Sequence, residues 1–138
     1  KTKVRSTSFG ASNASGCHFK SDGLTFYYFN NSFSNVVQQY SLSTAWDLST
    51  ASLDKTYTDG TYVPNGQKVF LDETGEHMYI AGTGVYHYTL STPFDVSTAS
   101  YSDGDATLPA GNAGKINQDG TKLYTTDNGT DDLLIYEL

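Results

Sequence analysis

Three histidines, one cysteine and a scatter of carboxylates are the reactive groups of this 138-residue sequence, and their spacing argues against most of the chemistry they could do. Cys17 and His18 are adjacent. On an extended chain neighbouring side chains point to opposite faces, so they cannot form a simple thiolate–imidazole dyad. His77 and His87 stand in separate short runs with different local settings. No nucleophile elbow, phosphate-cradling glycine loop or zinc-type Cys/His spacing occurs. Asp103-Gly104-Asp105 and Asp127-Asn128-Gly129-Thr130-Asp131-Asp132 gather the hard oxygens that calcium prefers. Neither has the calcium-loop pattern with its closing Glu, so both are expected to be solvated acidic turns. The expectation is a protein that is not an enzyme and carries no cofactor and no metal.

The residues that could instead recognise a partner make sense only within a repeat. Leu42, Leu90 and Leu138 lie 48 residues apart and close the phrases Gln39-Tyr40-Ser41-Leu42, His87-Tyr88-Thr89-Leu90 and Ile135-Tyr136-Glu137-Leu138. After the first two, Leu42 to Ser52 and Leu90 to Ser100 are identical at eight of eleven positions. Gly23, Gly75 and Gly120 form a second register, each four residues after an apolar residue (Phe19, Leu71, Ile116) and four before a tyrosine (Tyr27, Tyr79, Tyr124). A period of this length with short apolar runs between turns belongs to propeller blades rather than helical solenoids.

Each copy parses as strand, tight turn, strand, loop, strand, link, strand. In copy one, Cys17 to Lys20, Thr25 to Phe29, Val36 to Leu42 and Leu53 to Tyr57 are the expected strands A to D. Asp22-Gly23 between apolar runs is a strong hairpin signal because glycine accepts a positive φ without steric cost. Copy two places strand C at Val85 to Leu90 and strand D at Tyr101 to Thr107. Copy three stops at the end of strand C, Leu133 to Leu138. The expected fold is therefore all-β: a β-propeller segment of three four-stranded blades, divided as 1–9 (closing strand), 10–57, 58–107 and 108–138 (lacking its outer strand). The N-terminal strand is expected to complete the last blade. Its Lys1, Lys3 and Arg5 would then meet Asp127, Asp131, Asp132 and Glu137, and opposite charges across strands contribute about 0.2 to 1 kcal/mol each. Rings usually need four blades or more. Self-association as a homodimer completing a six-bladed ring is expected, the rival being further blades in a longer chain.

Comparison between copies also separates scaffold from candidate site. In a blade the A–B turn and the C–D link share one face of the disc, and here that face repeats its wording. The B–C and D–A loops share the other face, where the B–C inserts differ: Asn30 to Asn35, Gly82-Thr83-Gly84, and Asp127 to Asp132. Variable loops on a rigid scaffold are where recognition is usually built. The candidate ligand-binding residues are Asn30, Phe33, Asn35, Asp127 and Asn128 in the B–C loops, with Tyr62, Asn65 and Asn112 in the D–A segments. Trp46 has Phe94 as its counterpart in a near-identical phrase, which favours an inter-blade wedge over a sugar platform.

Composition sets the outer limits. Eleven tyrosines and seven phenylalanines, without long runs of Ala, Leu, Glu and Lys, suit an all-β chain. Eight basic against fifteen acidic residues give a net charge of −7, which repels nucleic acid and anionic membrane. No stretch approaches the roughly 18 apolar residues of a membrane span, so membrane insertion is not expected. Cys17 is the sole cysteine and is expected to be a small buried apolar side chain.

The phrases Phe19-Lys20-Ser21-Asp22-Gly23 and Tyr40-Ser41-Leu42-Ser43-Thr44-Ala45-Trp46-Asp47, with their later copies, resemble a family of β-propeller repeats common in proteins of marine phages and bacteria. The resemblance covers nearly the whole chain and implies the fold and an extracellular or virion-surface location, but it carries no functional residues. Ser21 departs from the usual proline, and copy three lacks the Trp-Asp phrase. The expected function is that of a non-enzymatic assembly or adhesion module whose partner is a structural protein or a surface glycan. A glycan-binding lectin is the alternative, and a metal-dependent propeller hydrolase or lactonase comes third.

Overall fold

A computed structural model describes residues 14–30, 35–58, 68–107, 114–117, 119–126 and 132–138. Among them are eleven strands, two 3-10 turns and no α-helix, so none of the described elements is a helix able to cross a membrane. The fold is all-β, three antiparallel blade-like sheets in a row. Blade 1 has the order β1 (Ala14–Phe19), β2 (Thr25–Asn30), β3 (Val36–Leu42), β4 (Ala51–Thr58). Blade 2 repeats it with β5 (Lys68–Leu71), β6 (His77–Ala81), β7 (Val85–Leu90) and β8 (Ala99–Asp105). Blade 3 contains β9 (Gly114–Ile116), β10 (Lys122–Thr126) and β11 (Leu133–Glu137). The closing strand expected at residues 1–9 lies outside the described residues.

The strands follow the repeat, with shifts at their ends that have local causes. Lys20 leaves strand A because the turn begins there: Gly23 N donates to Lys20 O at 2.9 Å and Lys20 N to Thr25 O at 3.0 Å. Gly23 (φ +71°) and Gly75 (φ +72°) occupy the left-handed region, and a Cβ at either would run into the ring of Trp46 or Phe94. Strand D starts earlier than expected in both blades. Ala51 pairs with Leu42 and Ala99 with Leu90, so the strand resumes directly after a 3-10 turn, Leu48–Thr50 or Val96–Thr98.

Alternation gives every sheet two faces, and the blades stack through them. The trailing face of blade 1 (Tyr27, Phe29, Val37) packs on the leading face of blade 2 (Val69, Leu71, Met78, Ile80, Tyr88, Leu90, Val96). The trailing face of blade 2 (Tyr79, Ala81, Val85) packs on Ile116 and Leu123 of blade 3. Each fully buried large side chain of these interfaces contributes about 1.5–3 kcal/mol. Phe26, Tyr28, Tyr40 and Leu42 form a third cluster on the leading face of blade 1. Cys17, expected to be buried, is exposed on that same face. Its counterpart Val69 is 0% exposed because blade 1 covers it, and no described blade covers Cys17.

Candidate functional site

The repeated face is a structural device built twice from the same atoms. Asp47 Oδ1 accepts from Ser49 N at 3.0 Å, and Asp95 Oδ1 from Ser97 N at 3.0 Å, capping the two 3-10 turns. Thr50 Oγ1 and Thr98 Oγ1 donate to the carbonyls of Asp47 and Asp95, each at 2.8 Å. Trp46 (φ 65°) and Phe94 (φ 62°) sit in the left-handed region, held by their amides donating at 2.9 Å to Gly23 O and Gly75 O.

The second of these turns seals the junction between blades 1 and 2. Tyr27 Oη donates to Phe94 O at 3.1 Å, Val96 N donates to Gln39 Oε1 at 3.1 Å, and Lys55 Nζ lies 2.7 Å from Asp95 Oδ2. Burial, then the charges of Asp22, Asp95 and Asp54, push the Tyr27 phenol far above its ordinary pKa. The hydrogen bond from Lys55, then that from Ser97, holds the Asp95 carboxyl below its usual range. The Lys20 ammonium lies 4.7 Å from the centroid of the Phe94 ring, so Phe94 is the expected wedge between blades. Trp46 is not covered in that way. It touches Phe19 of its own blade, with ring centroids 5.1 Å apart, and is 59% exposed.

Between blades 2 and 3 the corresponding place holds a cavity of about 640 Å³, whose walls include His77, Tyr79, His87, Asp103, Asp119 and Tyr136. The two histidines, read from the sequence as unrelated, face one another: His77 Nδ1 is 2.9 Å from His87 Nε2, and His87 Nδ1 is 3.4 Å from Asp103 Oδ1. His87 also stacks on Tyr79, with centroids 4.8 Å apart. These partners assign the proton of His87 to Nδ1, facing Asp103, and leave Nε2 to accept from His77. Burial lowers the His87 pKa, opposed by the Asp103 charge and reinforced by His77. The chain Asp103–His87–His77 orders protons, but among the described residues no three His, Cys, Asp or Glu side chains converge as metal ligands. Asp103-Gly104-Asp105, expected to be an acidic turn, instead ends strand β8, where Asp103 pairs with His87 and Asp105 with Val85, and Asp105 Oδ1 accepts from Thr107 N and Oγ1 at 2.7 and 2.6 Å.

A smaller cavity of about 350 Å³ lies where the A–B turns converge, lined by His18, Asp72, Glu73 and Lys115 among others. Burial, then the Lys115 charge, lowers the His18 pKa. The oxygens of Asp72 are occupied by Thr74 Oγ1 at 2.5 Å and His77 N at 3.1 Å.

Of the candidate ligand-binding residues on the variable face, two are described. Asn30 ends β2, opposite Val36 and Ala14, and is half-buried. Asn35 enters β3 at φ 53°, a left-handed geometry that asparagine tolerates, and is half-buried too. Both edge the same B–C loop. Phe33, Tyr62, Asn65, Asn112, Asp127 and Asn128 lie outside the described residues. No protein-family model matches the chain, and comparison with curated proteins gives no match.

Proposed function

We propose that the chain is a non-enzymatic β-propeller module that works by assembly and adhesion: a second copy continues its row of blades, and the variable loop face meets a partner. The observation that supports this best is the contrast between inner and outer blade faces. At the leading end Trp46 and Leu53 are 59% and 51% exposed, whereas their counterparts Phe94 and Tyr101 pack against the core shared with blade 1. At the trailing end Leu133 is 69% and Ile135 57% exposed, whereas Val85, the counterpart of Leu133, is 4% exposed beneath blade 3. Paired apolar faces of this kind on a protein surface mark association sites. Two copies joined end to face by a twofold axis give six blades, a number that closes a ring.

The family resemblance supports display outside a cell or on a virion, with a structural protein or a surface glycan met by the Asn30 and Asn35 side. The Asn-rich loop edge keeps the lectin reading in play, and a glycan array that binds the purified protein would establish it. A hydrolase would need a metal, and the cavity that His18 and Asp72 line also holds the Lys115 cation, while Asp72 already accepts two hydrogen bonds. Replacing Leu133 and Ile135 together by lysine tests the assembly reading. The expected result is an intact β-sheet spectrum with association lost; a double variant that associates like the parent chain refutes it.

A further inference from the structure

The cavity of about 350 Å³ where the A–B turns converge is walled by the same repeat positions of three successive blades. Phe19, Leu71 and Ile116 give it an apolar wall, with the Phe94 ring beside them. One residue on, Lys20, Asp72 and Asn117 are engaged by the scaffold. Asp72 accepts from Thr74 Oγ1 and His77 N, Asn117 Oδ1 accepts from Lys122 N at 2.8 Å, and Lys20 Nζ lies 2.9 Å from Asp22 and over the Phe94 ring. One residue earlier the scaffold takes an apolar side chain, since Phe70 packs on the core that blade 2 shares with blade 3. Copies one and three instead have His18 and Lys115 at that position, and both line the cavity.

Among the described residues neither His18 nor Lys115 makes a hydrogen bond or ion pair that serves the fold. The His18 ring lies near that of Tyr27, with centroids 6.1 Å apart, and its charged neighbour is Lys115. Burial, then the Lys115 charge, favour the neutral imidazole, which offers one N–H donor and one acceptor beside the ammonium. Glu73 is the carboxylate of the cavity that has no partner among the described residues. This set suits a ligand with one carboxylate, to meet Lys115 and the His18 N–H, and with hydroxyls, to donate to Glu73. A second anionic group would face Glu73 and Asp72, and an ammonium would face Lys20 and Lys115. The apolar wall accepts the carbon face of a ring. A volume of 350 Å³ stands at the lower end of ordinary ligand pockets, about 300–1,000 Å³, which limits the occupant to a single small ring.

We propose that this cavity binds an acidic monosaccharide, a uronic acid, with Lys115 holding its carboxylate, His18 donating to the same group and Glu73 accepting from a ring hydroxyl. All three residues come from one chain. They stand at the A–B turn end of the blades, whereas Asn30 and Asn35 edge a B–C loop at the other end. The inference therefore goes beyond the assembly reading and does not depend on it.

Titration of the purified chain with galacturonate and with glucuronate, followed residue by residue by NMR, tests it. At least one of the two should give saturable shifts centred on His18, Glu73 and Lys115. Galactose, which lacks the carboxylate, and acetate, which lacks the ring, should each bind about tenfold more weakly or less. Lys115 is exposed, so Lys115→Met should leave the spectrum of the fold intact while weakening uronate binding about tenfold, and Lys115→Arg should keep it within about threefold. His18→Gln should lose less than Lys115→Met, because an amide N–H still donates. The double variant Leu133→Lys, Ile135→Lys, which tests assembly, should bind as the parent chain does, so the two readings fail separately. The absence of a saturable shift with either uronate overturns the proposal, and so does binding that Lys115→Met leaves unchanged. Galactose or acetate bound as tightly as the uronate overturns the ligand class.

Discussion

Truncating Trp46 and Phe94 separately should report whether the leading face of blade 1 is covered in solution. Both rings sit on a turn glycine and both residues have a positive φ, so Trp46→Ala and Phe94→Ala carry the same backbone cost and differ in what their rings bury. Within a single chain Trp46 is 59% exposed, so it removes about two-fifths of its surface from water. At about 25 cal/mol per Å² and an aromatic area of about 250 Å², that is about 2.5 kcal/mol as an upper bound. Phe94 is more fully covered and also receives the Lys20 ammonium, so its truncation should cost about 3–4 kcal/mol. If a second copy covers blade 1 as blade 1 covers blade 2, the gap between the two losses narrows as concentration rises. Urea unfolding at low protein concentration should show the smaller loss for Trp46→Ala, whereas at high concentration the two losses should converge. A Trp46→Ala penalty that stays small and independent of concentration would refute the reasoning.

Gln39 offers a second test, since its side chain is 5% exposed and accepts from Val96 N across the blade junction. Gln39→Ala should cost about 2–3 kcal/mol by leaving a buried amide unpaired, measurable by urea denaturation, and Gln39→Glu should cost less because the acceptor remains. Acid should loosen the fold before its carboxylates titrate. Burial lowers the pKa values of His18 and His87 below their unfolded value, so the stability they permit is full above that value, about 6.5, and is lost as pH falls from there toward the folded pKa. Melting temperature should therefore drop between about pH 7 and 5, and the drop should shrink in His87→Gln, which restores the amide that blade 1 carries as Gln39.

The strands were legible because the copies share turn glycines and tyrosines, so Gly23, Gly75 and Gly120 register the blades on one another without any structure. The early start of β4 and β8 was not, because it depends on the Asp47 and Asp95 caps delivering Ala51 and Ala99 to their partners within one tight turn. The His77–His87 contact was missed for a related reason. It runs diagonally across β6 and β7, where His77 pairs with Thr89 and Tyr79 with His87, so it emerges only once the register is fixed. That register could have been counted from the paired tyrosines of each copy. Exposure was the least legible property: Trp46 and Phe94, or Cys17 and Val69, hold matching positions and differ only in whether a blade lies against them.

The mass of the unmodified chain in solution addresses the central claim most directly. Sedimentation equilibrium at rising concentration should approach twice 15.0 kDa, the mass of a closed six-bladed pair, with no larger species. A mass of 15.0 kDa at every concentration, or open-ended growth beyond the dimer, would contradict the account.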